Sequence, residues 1–280
     1  MYIFRGLGFD IEKRGEVVEK KIKIREVLGE REILLEEEIH SVLTCYLRLE
    51  IDGEFEYLEP GDAILIREIG EKTICRGAYK LSTIEDPEII IPFREYIPCC
   101  KEAISNEIPW CKHHCNTPEA RYLRFLFGTL KELKEDEYLV WGPHLVYVAY
   151  LHSKGKVGIC SARRYLQRAA EQLSKAFVPI VITDLKHARQ LEEYLSATIN
   201  KKLYQKISIS EKLQEFLKDG KWINNMIHLL TKIYDGLRKR GVSILLSHDN
   251  LRYIRIDWGW EGSLSIHLNS ISSILYSNGP

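Results

Sequence analysis

His144-Leu145-Val146-Tyr147-Val148-Ala149-Tyr150, then Ser153-Lys154-Gly155-Lys156-Val157-Gly158-Ile159, then Arg163-Arg164-Tyr165 and later Leu191-Glu192-Glu193 form the stretch on which the fold turns. The first run is apolar and β-branched, so it reads as a strand. Ser153-Lys154-Gly155 reads as a tight turn, and the next run as a second strand ending in glycine. Ala162, Tyr165, Leu166, Ala169, Ala170, Leu173, Ala176 and Phe177 make one apolar stripe. That spacing predicts a helix over 161–177 capped by Ser161. A strand over 178–182 follows. Asp184 then caps a helix running to about Ile199.

Outward from this α/β module the chain changes character. Residues 1–95 carry alternating or apolar runs at 32–36, 41–51, 54–58, 63–68 and 73–81, with Glu59-Pro60-Gly61-Asp62 as a turn. They predict a β-barrel-like or curled-sheet domain, in which the charged stretch 11–38 forms long edge strands or a helical insertion. Residues 96–143 hold a cysteine-rich segment and a helix over 118–135, with Pro118 in its first turn after Thr117. Residues 207–280 predict helices over 210–218 and 221–240, then strands at 242–247, 251–257 and 264–268. The fold class is α+β, in four segments: 1–95, 96–143, 144–206 and 207–280.

Formal net charge is zero over 280 residues, but it is unevenly spread. Residues 1–80 contain 13 Lys/Arg and 18 Asp/Glu, whereas residues 144–206 contain 11 Lys/Arg and 4 Asp/Glu. A phosphate backbone is drawn to the second region and repelled by the first. The implied partner is nucleic acid, DNA or RNA. No apolar run approaches the ~20 residues that span a bilayer. The amino terminus lacks a signal-peptide pattern, so a cytoplasmic location and no membrane partner are expected.

Seven cysteines lie at 45, 75, 99, 100, 111, 115 and 160, and five of them fall within 75–115 beside His113 and His114. Zinc takes four sulfur or nitrogen ligands around a tetrahedron. Cys111 and Cys115 bracket a tight turn and can reach one ion. Cys75 and Cys100, or its neighbour Cys99, complete the set, with His113 or His114 as the substitute. The gap between Cys111 and Cys115 is wider than the commonest two-residue spacing. Disulfides or buried thiols are the alternatives. A closed shell of this kind implies a structural ion, not a catalytic one. Cys45 and Cys160 sit in apolar runs and are expected to pack in cores.

Phosphodiester hydrolysis needs an activated water, a cation for the phosphorane charge and a divalent metal. The strand tyrosine, the helix arginines and the helix carboxylate supply such groups. This order and spacing resemble the GIY-YIG nuclease core, in a variant where the second tripeptide reads Lys156-Val157-Gly158. The resemblance implies that Tyr147 assists the water. Arg163 or Arg164, with Lys156, would hold phosphate, and Glu192 would bind Mg²⁺ or Mn²⁺. Helical geometry separates the two glutamates: Leu185, Ala188, Leu191, Leu195 and Ile199 define one arc that contains Glu192 and excludes Glu193. A carboxylate on an apolar face needs a partner, either a metal or a salt bridge to Arg163, Arg164 or Arg168. Two departures put catalysis in question. Lys156 replaces the tyrosine of the second tripeptide, and Leu145 stands where the first opens with glycine.

Pro143 to Ala149, the Lys-Val-Gly turn, Tyr165-Leu166-Gln167 and Glu192, after a cysteine-rich segment, also resemble an uncharacterised family found in archaea and actinobacteria. That likeness covers roughly residues 75–206 and implies that the cysteine segment and the α/β module work as one unit. It makes His144 and Gln167 candidate nucleic-acid contacts, beside Lys154 and Arg168. Near the carboxy terminus, Arg252, Tyr253, Arg255, Trp258 and Trp260 could stack bases, though such residues more often pack a sheet. Three functions are thus expected in turn: a metal-dependent endonuclease, a non-catalytic nucleic-acid-binding module, or a protein-interaction scaffold. The catalytic reading requires Tyr147, an arginine and Glu192 to meet in a pocket open to solvent.

Overall fold

The strand His144–Tyr150 is buried at every position, the mark of a strand paired on both edges and covered on both faces. The computed structural model that reveals this describes residues 2–12, 15–26, 29–51, 54–58, 73–82, 93–105, 108–199, 203–204, 206–216, 218, 220–245 and 250–257. In chain order the strands are β1 (Tyr2–Ile11), β2 (Glu16–Glu26), β3 (Gly29–Ile51), β4 (Glu54–Leu58), β5 (Ala78–Ser82) and β6 (Phe93–Ile97). Helices α1 (Pro118–Leu126) and α2 (Glu135–Val140) follow. Next come β7 (His144–Tyr150), β8 (Gly155–Ser161), α3 (Tyr165–Glu171), β9 (Ala176–Thr183) and α4 (Leu185–Tyr194). The described chain ends with β10 (Leu203–Tyr204), α5 (Ile209–Phe216), α6 (Ile223–Arg238) and β11 (Asn250–Asp257). The protein is a mixed α+β structure, and none of its described helices is long and apolar enough to cross a membrane.

Two compact units emerge, and they do not follow the linear segmentation. One comprises residues 1–8, 44–142 and 260–280; the other comprises 9–43 and 143–259. In the second unit β7 lies between β8 and β9, antiparallel to both. The described sheet continues from β9 through β11 to β3 and, at the other edge, from β8 to β10. The charged stretch 11–38 forms strands with no helical insertion: β2 pairs antiparallel with β3 from Glu16↔Ile39 to Glu26↔Gly29. β3 then pairs in parallel with β11 from Asn250↔Leu34 to Asp257↔Ser41. Leu145, Tyr147, Ala149, Cys160, Phe177 and Ile254 build one core against Ala169 and Ala170 of α3.

Local signals explain the helices. Thr117 caps α1 by accepting from Ala120 N, with Pro118 in the first turn. Asp184 caps α4 by accepting from His187 N. Three expected boundaries moved. The helix expected over 118–135 stops at Leu126, just before Gly128 takes φ 76°, and α2 begins only at Glu135. The helix expected over 161–177 begins as a 3₁₀ turn at Ala162–Arg164 and ends at Glu171. Leu173 then adopts φ 51°, turning Ala176 and Phe177 into strand residues. Ser161 makes no side-chain cap; instead Ala162 N donates to Pro143 O. The strand expected at 242–247 is irregular over its described residues, where Leu245 N donates to Ile180 O. The turn at 59–62, the strands at 63–68 and 264–268, Trp258, Trp260 and the Cys45 side chain lie outside the described residues.

Candidate functional site

In the first unit, the backbone brings three short segments together. Cys75 N donates to Lys101 O, Ala103 N to Thr73 O, and Arg76 N to Pro109 O. A one-turn loop follows, in which His114 N and Cys115 N both donate to Cys111 O. The result is a cluster of Cys75, Cys99, Cys111 and His114, whose ligand atoms all lie within 4.8 Å of one another. Cys75 Sγ is 3.5 Å from His114 Nδ1. Zinc bonds of about 2.3 Å to sulfur and about 2.0–2.1 Å to nitrogen put those two atoms about 3.5–3.6 Å apart on a tetrahedron. The geometry is therefore that of a Cys₃His site able to hold a metal such as zinc.

Burial and the neighbouring groups shift these ligands in different directions. Burial pushes the Cys75 thiol up to about 12. For Cys111 burial acts the same way, but the N–H groups of His114 and His113 and the neighbouring thiols outweigh it and leave that thiol below its usual range. Burial, aided by His113 and Lys101, depresses His114 and favours the neutral imidazole that metals bind. Trp110 and Ala120 seal the cluster, with Ile108 and Leu123 beside them.

Two of the four expected ligands differ. Cys100 is exposed and points away from the cluster, because its neighbour Cys99 takes the inward position. Cys115 is buried, but its Sγ donates to Lys112 O at 3.4 Å. The discriminating signal was present in the chain. Cys111 and His114 are separated by two residues, the commoner spacing, whereas Cys111 and Cys115 are separated by three.

In the second unit, Tyr147 is completely buried and its ring stacks on Phe177 at 4.4 Å. Arg168 Nε donates to the Tyr147 hydroxyl at 3.0 Å, and Arg168 Nη1 to Glu171 at 2.7 Å. Gly158 faces Tyr147 across the β7–β8 ladder, and a Cβ there would lie 2.5 Å from the phenol oxygen. The glycine of Lys-Val-Gly therefore exists to let the phenol lie over β8. Ladder register puts Lys156 on the same face, two residues from Gly158.

Lys156 is buried, and its pKa falls well below the usual lysine range through burial, then through repulsion from Lys212 and Arg168. Burial and Arg168 likewise bring Lys212 down to about 8. Arg168 stays charged despite its burial, through Tyr147 and Glu171. Burial raises Glu192, although Arg189 and Lys156 oppose it. Burial also pushes the Cys160 thiol up to about 12.

The sequence-predicted residues sort as follows. Glu192 acts on both Tyr147 and Lys156. The arginine that joins them is Arg168, because Arg163 and Arg164 occupy the preceding 3₁₀ turn and are exposed. Arg164 reaches Gln167 at 3.1 Å and Glu171 at 2.9 Å. Glu192 is buried in a 2.6 Å ion pair with Arg189, a neighbour on its own helix, and not with Arg163, Arg164 or Arg168. Lys154 pairs with Glu211 at 3.1 Å, and His144 is buried. The pocket expected to be open to solvent is sealed at Tyr147. Sequence reading missed Glu171 and Lys212; the first lies on the polar side of the stripe and the second on a helix distant in the chain.

No curated protein and no solved structure gives a significant match to the chain. Residues 97–264, more than half of the chain, match the family described as "Protein of unknown function (DUF2797)". The chain belongs to this family of unknown function, DUF2797.

Proposed function

We propose that the second unit is a GIY-YIG-like nucleic-acid-binding module that holds phosphate without cutting it, and that the Cys₃His cluster of the first unit carries a structural zinc. The observation that carries the first reading is the Arg168 guanidinium, anchored on the Tyr147 phenol at 3.0 Å and flanked by Lys156. Further support comes from the strand order, with β7 between two antiparallel neighbours, and from the positive charge of residues 144–206. DNA and RNA share the phosphate that these groups recognise.

Binding is favoured over hydrolysis by three observations. Tyr147 has no exposed surface to present to a water. Glu192 is held by Arg189 at 2.6 Å, a poor start for a Mg²⁺ or Mn²⁺ ligand. Among the described residues the only group of three or more potential ligand atoms is the cysteine–histidine cluster. Zinc is favoured there because three thiolates and an imidazole are soft or borderline donors in a buried, closed shell.

The test is binding of labelled single-stranded RNA, hairpin RNA, single-stranded DNA and duplex DNA across a salt series, with cleavage followed in Mg²⁺ and Mn²⁺. Salt-sensitive binding without cleavage is expected. Absence of binding at low salt would overturn the nucleic-acid reading. Cleavage abolished by Glu192→Ala or Tyr147→Phe would overturn the binding-only reading and restore the nuclease.

A further inference from the structure

Five basic side chains converge on the α3 side of the second unit, and among the described residues three carboxylates, Glu171, Glu192 and Glu193, pair with them. Lys156 comes from β8, Arg164 from the 3₁₀ turn, Arg168 from α3, Arg189 from α4 and Lys212 from α5. Lys156 is 9% exposed and Lys212 6%. Glu192 and Glu193 both pair with Arg189, at 2.6 and 3.0 Å. Glu171 serves the remainder: its two carboxylate oxygens accept from Arg164 at 2.9 Å and Arg168 at 2.7 Å, and its main-chain carbonyl accepts from Lys212 at 3.4 Å. Buried lysines are rare without a paired anion, since burial removes water from the ammonium. The arrangement is short of negative charge.

We propose that Lys156, Arg168 and Lys212 form a pocket for a terminal phosphate, a phosphate monoester at the end of a nucleic-acid strand, and that the Glu171 carboxylate stands in for that phosphate in the free protein. This rests on reading the second unit as a nucleic-acid-binding module. The Glu171 side chain is 22% exposed, so it can swing outward, and Arg164 is exposed enough to follow it. A phosphate monoester brings a charge of about −1.5 to −2 and three acceptor oxygens, against one charge and two oxygens for the carboxylate it displaces. It also relieves the mutual repulsion of the two lysines and Arg168. The burial of Lys156 and Lys212 selects an end over a strand interior. An internal phosphodiester carries a sugar on both sides, whereas a monoester offers all three free oxygens to one group of basic side chains.

The experiment uses the full chain and oligonucleotides identical except for a 5′-phosphate, a 3′-phosphate or hydroxyls at both ends, with binding read by fluorescence anisotropy. The phosphorylated strands should bind about tenfold more tightly than the hydroxyl strand, with most of that preference lost in Lys212→Gln and Lys156→Gln. Because those variants could perturb the core, Glu171→Gln provides the opposite sign. It removes the internal competitor and should tighten binding of a phosphorylated end while leaving the hydroxyl strand unchanged. Equal affinity for all three strands overturns this pocket and leaves the nucleic-acid reading standing. If no strand binds, the nucleic-acid reading fails, and inorganic phosphate titrated with ³¹P NMR detection decides the pocket alone. Line broadening that disappears in Lys212→Gln supports it; an unchanged signal overturns it.

Discussion

Replacing Gly158 with alanine tests the sealing of Tyr147, on which the choice of binding over cutting depends. The added methyl would lie 2.5 Å from the phenol oxygen and 2.6 Å from its ring carbon, where 3.4–4 Å is ordinary contact. About 1 Å of movement is needed, and Tyr147 has nowhere to go. Phe177 stacks on one side and Arg168 holds the hydroxyl. Overpacking a core costs about 1–3 kcal/mol, and losing a hydrogen bond to a charged partner about 1.5–3 kcal/mol. A total of about 3 kcal/mol is expected. For a unit of about 150 residues this lowers the melting temperature by about 6–12 °C. The assay is thermal and urea unfolding of the wild type, Gly158→Ala, Tyr147→Leu and the double variant. In the Tyr147→Leu background the alanine should cost far less, because the phenol it strikes is gone; the coupling should exceed about 1 kcal/mol. Equal cost in both backgrounds, or a Gly158→Ala variant as stable as the wild type, would refute this account of the glycine and reopen Tyr147 as a solvent-facing group.

Three further outcomes are expected. Purified protein should hold about one equivalent of zinc, lost in Cys99→Ser and His114→Ala but retained in Cys100→Ser and Cys115→Ser; metal analysis showing Cys100→Ser as damaging as Cys99→Ser would contradict the ligand set. In native alkylation followed by peptide mass mapping, the exposed Cys100 should react quickly and the buried Cys160 only after unfolding, so early labelling of Cys160 would count against its burial. Glu215 is subject to burial, which raises its pKa, but Lys218 and both donors of Ser153 outweigh that and bring it from 4.5 to about 2. Its folded value lies below the unfolded one, so the ionised form stabilises the fold above about pH 4.5, and that contribution is lost as the pH falls towards about 2. Glu215→Gln should therefore cost about 2 kcal/mol at pH 7 and almost nothing near pH 2; a pH-independent difference in urea midpoints would dispose of the idea.

Much of the second unit was legible because its signals are local. The apolar run of β7, the Lys154-Gly155 turn and the Asp184 cap each act within a few residues, and each element formed where it was expected. The end of α3 was not legible. Leu173, Ala176 and Phe177 extend the apolar stripe, so periodicity carries the helix onward, while the backbone leaves it through the positive φ of Leu173. The metal cluster was half legible. Cysteine density marked the region, but which of two adjacent thiols faces inward depends on how residues 73–75 pair with 101–103, and that pairing is long-range. For the same reason Arg168 was read as a nucleic-acid contact and not as the arginine of the motif. Arg163 and Arg164 hold the expected sequence position, but the 3₁₀ turn presents them to solvent and delivers the next turn's arginine to Tyr147. Lys212 and Glu171 meet through α5 packing on the module, which nothing near either residue announces.

The parallel pairing of β3 with β11 has a practical consequence for anyone trimming this protein. A fragment cut to residues 97–264, the limits of the DUF2797 match, keeps β11 but discards its partner. On its other edge β11 meets β9 at the Ile254↔Phe177 position. Such a fragment would expose a row of unpaired amides and carbonyls along Leu251, Tyr253 and their neighbours, an invitation to strand-to-strand aggregation. Borders drawn from similarity would thus yield insoluble material, and expression plans should retain the segment from Phe9 to Leu43.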